Sequence, residues 1–144
     1  MACYGQNILI NEFMASNSNV IADEFGEFDD WVELYNPTSS PIDIGGMFIT
    51  DDLDNPTDWQ IPTTDPALTT IPADGYLLLW FDKDTEQSVL HVDSKLSSDG
   101  EDIGLFAADG TLIDSRIFGI QQTDISEGRT PNGCLLYTSD AADE

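Results

Sequence analysis

Basic residues are almost absent. Lys83, Lys95, Arg116 and Arg129 stand against 28 acids in 144 residues, and the formal charge is −24. A surface this negative repels a phosphate backbone, so nucleic acid is excluded as a partner unless a metal bridges the two, and an anionic lipid surface is disfavoured for the same reason. Long apolar runs are missing as well. No stretch approaches the roughly 20 residues that a bilayer-spanning helix needs, so no membrane span is expected. Histidine occurs once, at His91, which forces any Ser-His-Asp or Cys-His relay through that position, and no GxSxG elbow accompanies it. HExxH, phosphate-loop and GxGxxG patterns are absent too, which leaves zinc hydrolysis, nucleotide binding and dinucleotide chemistry without footing. The two cysteines, Cys3 and Cys134, lie near opposite ends and build neither a CxxC site nor a disulfide framework. Finally, Gly, Pro, Asn and Asp interrupt the chain every few residues, so no long window keeps a 3.6-residue apolar period and helix is not the organising element.

What remains is a set of short strand-like runs: NILINEFM (7–14), WVELYN (31–36), IDI (42–44), MFIT (47–50), WQIP (59–62), YLLLWF (76–81), DIGLFA (102–107) and TLIDSRIF (111–118). Turn chemistry separates them, in NPTSSP, DNPTD, PADG, SSDG and ADG. With 40% apolar residues and this spacing, the chain is expected to form one all-β domain, an immunoglobulin-like antiparallel β-sandwich of about seven to nine short strands. ADGTLID reads as a hairpin whose Gly110 supplies the positive φ of a tight turn. YLLLWF is apolar on both faces and is expected to lie centrally, covered on both sides. The segment 51–73 is expected to hold one short strand around Trp59 within loops.

The ends read differently from the middle. Residues 1–6, MACYGQ, form an N-terminal tail whose small residues Cys3 and Gly5 are spaced like the end of a signal peptide begun upstream. Residues 134–144, CLLYTSDAADE, resemble the in-frame translation of a transposase adapter, so they are expected to be a non-native tail. The domain proper is then 7–133.

In series, ILINEFMASN (8–17), DDWVELYNPTSSPIDIGG (29–46), DWQIP (58–62), TTIPADGYLLLW (69–80), KLSSDGEDIGLFAADGTLID (95–114), FGIQ (118–121) and SEGRTPNG (126–133) resemble the lamin tail domain family. Met47 departs from the family where a Trp often follows the paired glycines, and Asp74 departs where Gly is common before GY. The resemblance implies an immunoglobulin-like sandwich. It also implies, for the bacterial type, a non-catalytic accessory module of a larger secreted or surface protein, acting in attachment, spacing or protein binding. The implied partners are other domains of the same longer chain or an unidentified protein or glycan, and the implied location is extracellular or at the cell surface. Nuclear lamins carry the fold after a coiled-coil rod, but heptads and a basic localisation run are absent here.

Against that stand two chemical readings of the residues. Alternation puts Trp31, Glu33 and Tyr35 on one strand face, and Ile8, Ile10, Glu12 and Met14 on another, so Glu12 and Glu33 project among apolar neighbours. Two such carboxylates are the raw material of a carboxylate-dependent hydrolase. They are equally the raw material of a structural ion pair, and with so few cations the expected partner is Arg129, pairing with Glu12 or Glu33 and pinning the last strand. The second reading is a calcium-assisted glycan-binding module, with Trp59 as the stacking ring beside acidic loops. Three loops concentrate acids: DEFGEFDD (23–30), DDLDNPTD (51–58) and DKDTEQ (82–87). The last departs from an EF-hand start, because Gln87 replaces the required Gly and Asp93 stands where Glu belongs. No metal ligands are therefore assigned, and calcium is the one cofactor the composition leaves open.

Overall fold

The computed structural model describes residues 7–129 and the strand Tyr137–Ser139; Cys3, Cys134 and the rest of both expected tails lie outside the described residues. In chain order the elements are β1 (Leu9–Met14), β2 (Asp30–Tyr35), β3 (Ile42–Asp43), β4 (Phe48–Thr50), β5 (Trp59–Gln60), α1 (Pro66–Thr69), β6 (Thr70–Ile71), β7 (Tyr76–Phe81), β8 (His91–Val92), β9 (Glu101–Phe106), β10 (Leu112–Phe118), β11 (Glu127–Arg129) and β12 (Tyr137–Ser139). One sheet runs β12-β11-β1-β2-β7-β8, a second runs β10-β9-β4-β5, and β3 pairs with β6. Every ladder is antiparallel except β7 with β8. Among the described residues the strands number twelve. The eight expected runs hold β1, β2, β3, β4, β5, β7, β9 and β10, and the four further strands, β6, β8, β11 and β12, are two or three residues long. The segment 51–73 holds β5 as expected, together with α1 and β6.

Period-two alternation delivers Val32 and Leu34 of β2 and Leu79 and Phe81 of β7 to one face, where they meet Ile49 of β4, Ile103 and Leu105 of β9, and Phe118 of β10. Each such fully buried aliphatic or aromatic side chain contributes about 1.5–3 kcal/mol relative to exposure. The opposite face of the larger sheet is also covered at one end: Met14, Trp31 and Trp80 are buried together, with Ile21 and Leu78 packed on them. YLLLWF thus lies between β2 and β8 with apolar cover on both sides of its second half, as its composition requires.

In β1 the alternation changes phase. A register shift falls between Ile10 and Glu12, so Ile8 and Ile10 share the core with Phe13 and Ala15 instead of with Glu12 and Met14. The expected common face of Ile8, Ile10, Glu12 and Met14 is corrected accordingly: one extra residue, Asn11, turns Glu12 and Met14 to the outer face. The β9–β10 hairpin closes through Ala107 N–H to Thr111 O (2.8 Å), with Gly110 at φ +91°. Asp74, where glycine is common in the family, takes φ +57°, and its carboxylate accepts the Tyr35 hydroxyl.

Candidate functional site

The loop between β1 and β2 is held at several points before it presents any acid. Asn17 donates from Nδ2 to the carbonyls of Ile21 (2.6 Å) and Asp29 (3.0 Å) and accepts the Val20 amide at Oδ1 (3.0 Å). Asp124 accepts the amides of Ser18 and Asn19. Ile21 then inserts into the Met14–Trp31–Trp80 cluster. So anchored, the loop turns at Asp23, whose Oδ1 accepts the amides of Phe25 (2.8 Å) and Glu27 (3.0 Å), an Asx-type turn with Gly26 at φ +77°.

This turn sets the acids of DEFGEFDD against the end of β7 and the start of β8. His91 is fully buried, with Nδ1 2.6 Å from Asp82 Oδ2 and Nε2 2.7 Å from Glu24 Oε1. Burial pushes the imidazole pKa down, but the two carboxylates outweigh that and leave it raised. For Asp23, too, burial pushes upward, and the amide hydrogen bonds together with the Asp29 side chain leave it below the usual range. Asp29 moves the other way: burial first, then the adjoining carboxyls of Asp23 and Asp82, raise it to about 8. Asp23, Glu27 and Asp29 bring one donor atom each within 4.8 Å of one another, and so do Asp23, Asp82 and His91. Glu27 also accepts Gln87 Nε2 (2.8 Å). Chemically this is a nest of acceptors around one buried imidazole. Neither ring nitrogen of that imidazole faces a nucleophile, and both already bind carboxylates, which is the arrangement of a structural histidine.

The other anticipated residues fall elsewhere. Glu12 and Glu33 are direct cross-strand neighbours on the outer face, so the structure does bring them together. Glu12 accepts Ser126 Oγ (2.7 Å), and Glu33, raised by burial against the lowering hydrogen bond of Asn11, accepts Asn11 Nδ2 (2.9 Å). Asp114 lies at salt-bridge distance from Arg129, at 3.0 Å. The bulge in β1 turns Glu12 to the outer face, where the alternation of β2 already places Glu33, while Asp114 of β10 reaches the margin where β11 passes. Asp114 also accepts the Ile10 amide at Oδ2 (2.8 Å), and Arg116 of β10 pairs with Glu127 of β11 at 2.7 Å. Both arginines therefore tie β11 to the other sheet. Trp59 is half-buried and packs against the core, with its Nε1 out of solvent, so it offers less ring to a sugar than an exposed loop tryptophan would. The acids of 51–58 serve local turns: Asp52 Oδ1 accepts the Asp54 amide and Asn55 donates to Asp58.

In the sequence, 23–30 and 82–87 are separate acidic loops. Their union through His91 spans 67 residues between Glu24 and the imidazole, and no local pattern announces it. The one available signal was that a lone histidine in an acidic chain must sit among acids.

Among the described residues no helix is long and apolar enough to cross a membrane. Comparison with characterised proteins and with solved structures gave no match. The sequence profile of the Lamin Tail Domain matches residues 4–119, most of the chain and all of β1 to β10. With the sandwich and the motif order agreeing, the chain belongs to the lamin tail domain family, whose fold is immunoglobulin-like.

Proposed function

We propose that the domain is a non-catalytic accessory module of a larger secreted or surface protein and that it works by attachment, packing the β10 margin against a neighbouring domain of the same chain. The observation that carries this reading is the composition of that margin. β10 is the last strand of its sheet, Leu112 and Ile117 are 53% and 65% exposed, and Ile120 just beyond it is 82% exposed. Ile120, Gln121, Gln122, Ile125 and Glu127 line a shallow pocket beside it. On so acidic a chain, apolar side chains gathered at an unpaired strand edge are the surface with most to gain from a protein partner.

The test is amide hydrogen exchange over 112–120, compared between the isolated domain and the full open reading frame, with an Ile117→Asp/Ile120→Asp variant of each. Attachment predicts slower exchange in the longer protein, lost in the variant, while the isolated domain's melting temperature changes little. Equal exchange in both lengths refutes it. A glycan-binding role would lean on Trp59 and a hydrolytic one on Glu12 with Glu33. The first ring is packed inward, and the two carboxylates are engaged by Ser126 and Asn11.

A further inference from the structure

Three buried oxygens around the His91 cluster receive no hydrogen bond: Asp23 Oδ2, Asp29 Oδ2 and Gln87 Oε1. All three are acceptors, so what is missing beside them is positive charge or donors. Asp23 matters most. The residue is 7% exposed, the amides of Phe25 and Glu27 occupy Oδ1, and Oδ2 is out of solvent. A buried carboxylate oxygen without a partner is unfavourable, because it has lost its water and gained no donor or cation in exchange.

We infer that Asp23, Glu27, Asp29 and Asp82 form a divalent-cation site of the calcium type, with His91 as the positioning residue that fixes Asp82. The donors are all oxygens, because both His91 nitrogens are spent on Asp82 and Glu24, and an all-oxygen set selects a hard cation over zinc. The spacing agrees. Calcium–oxygen distances of about 2.3–2.6 Å put opposite ligands roughly 4.6–5.2 Å apart, and the donor atoms of Asp23, Glu27 and Asp29 lie within 4.8 Å of one another. Four carboxylates, some bidentate, fill a six- to eight-oxygen shell, whereas magnesium's strict octahedron with retained waters fits loop-borne carboxylates less well. Exposed Glu27 gives the ion its way in. Bound there, the cation cross-links the 23–29 turn to the end of β7, next to the outer-face cluster of Trp31 and Trp80. The site is independent of the attachment reading, and either stands if the other fails.

The experiment is a calcium titration of the 144-residue chain, cleared of metal by chelation, at constant ionic strength. It is followed by calorimetry, melting temperature and tryptophan fluorescence. One equivalent should bind with half-saturation at or below about 1 mM, with a saturating rise in melting temperature and weaker binding of magnesium. Asp29→Asn should weaken calcium at least about tenfold, and Asp54→Asn, in the exposed 51–58 loop, should not. Responses that follow ionic strength alone, or equal binding by the two variants, overturn the site. Should Asp29→Asn lose its fold by circular dichroism, Glu27→Gln at the exposed rim gives the deciding affinity, and an unchanged value there overturns the site.

Discussion

Truncating Asp114 to alanine removes one carboxylate and with it two bonds that hold separate sheets together. Oδ2 accepts the Ile10 amide at 2.8 Å, at the residue where β1 changes phase, and Oδ1 meets the Arg129 guanidinium at 3.0 Å. The side chains are 13% and 5% exposed, so solvent screens the pair little. An orphaned amide costs about 1–3 kcal/mol, and breaking a buried ion pair from one side costs about 3–5 kcal/mol. Because both losses come from the same carboxylate and overlap, we expect about 3–5 kcal/mol in total. That is a large share of the roughly 5–15 kcal/mol that holds a domain folded. For a chain of this length it corresponds to a fall of roughly 10–15 °C in Tm, or about 2 M in the urea midpoint at unchanged slope. Trp31 and Trp80, both buried, report the transition by fluorescence. Asp114→Asn keeps one acceptor for Ile10 and should lose about half as much. A double-mutant cycle with Arg129→Met should show a coupling of about 1–3 kcal/mol. A loss under about 1 kcal/mol for Asp114→Ala, or strict additivity with Arg129→Met, would refute the idea that this carboxylate fastens the two sheets.

Glu101 gives a pH prediction. Burial, partly offset by the Ser97 amide, raises its carboxyl from 4.5 to about 7. The fold thus favours the protonated form, so the contribution is full below pH 4.5 and is lost as pH rises through 7. After allowing for solvent screening, Glu101→Gln should flatten the Tm-against-pH curve over that window by the equivalent of about 1 kcal/mol, and an unaltered curve counts against the assignment. Asn36 is wholly buried, donating to the carbonyls of Ser40 (2.8 Å) and Ile71 (2.9 Å) and accepting the Thr38 amide (3.0 Å). Asn36→Ala should cost about 2–4 kcal/mol in urea unfolding, and a cost near zero would show that the neighbouring loops carry themselves.

The sandwich was legible because alternation and turn residues act locally. Val32 and Leu34, or the run from Leu77 to Phe81, declare their burial from their own spacing, and Gly110 declares its hairpin. Glu12 was misplaced because a bulge is a decision of two strands together: nothing in ILINEFM says that Asn11 is the extra residue. Arg129 of β11 pairs with Asp114 of β10, an acid that only the stacking of the sheets brings near. The site was half visible. DEFGEFDD advertised its charge, while the contribution of Asp82 and His91 depends on β7 and β8 running parallel, a pairing set by tertiary packing and not by any turn signal.

The antiparallel pairing of β1 with β11 has a mechanical side. Glu12 lies opposite Gly128 and Phe13 opposite Glu127, so Leu9 and Arg129 point toward the same end of the seam. A force drawing those two residues apart loads the ladder one rung after another, as a zip opens, instead of shearing all rungs at once. The seam then yields at low tension, and the Asp114 clasp is the first catch the pull must break.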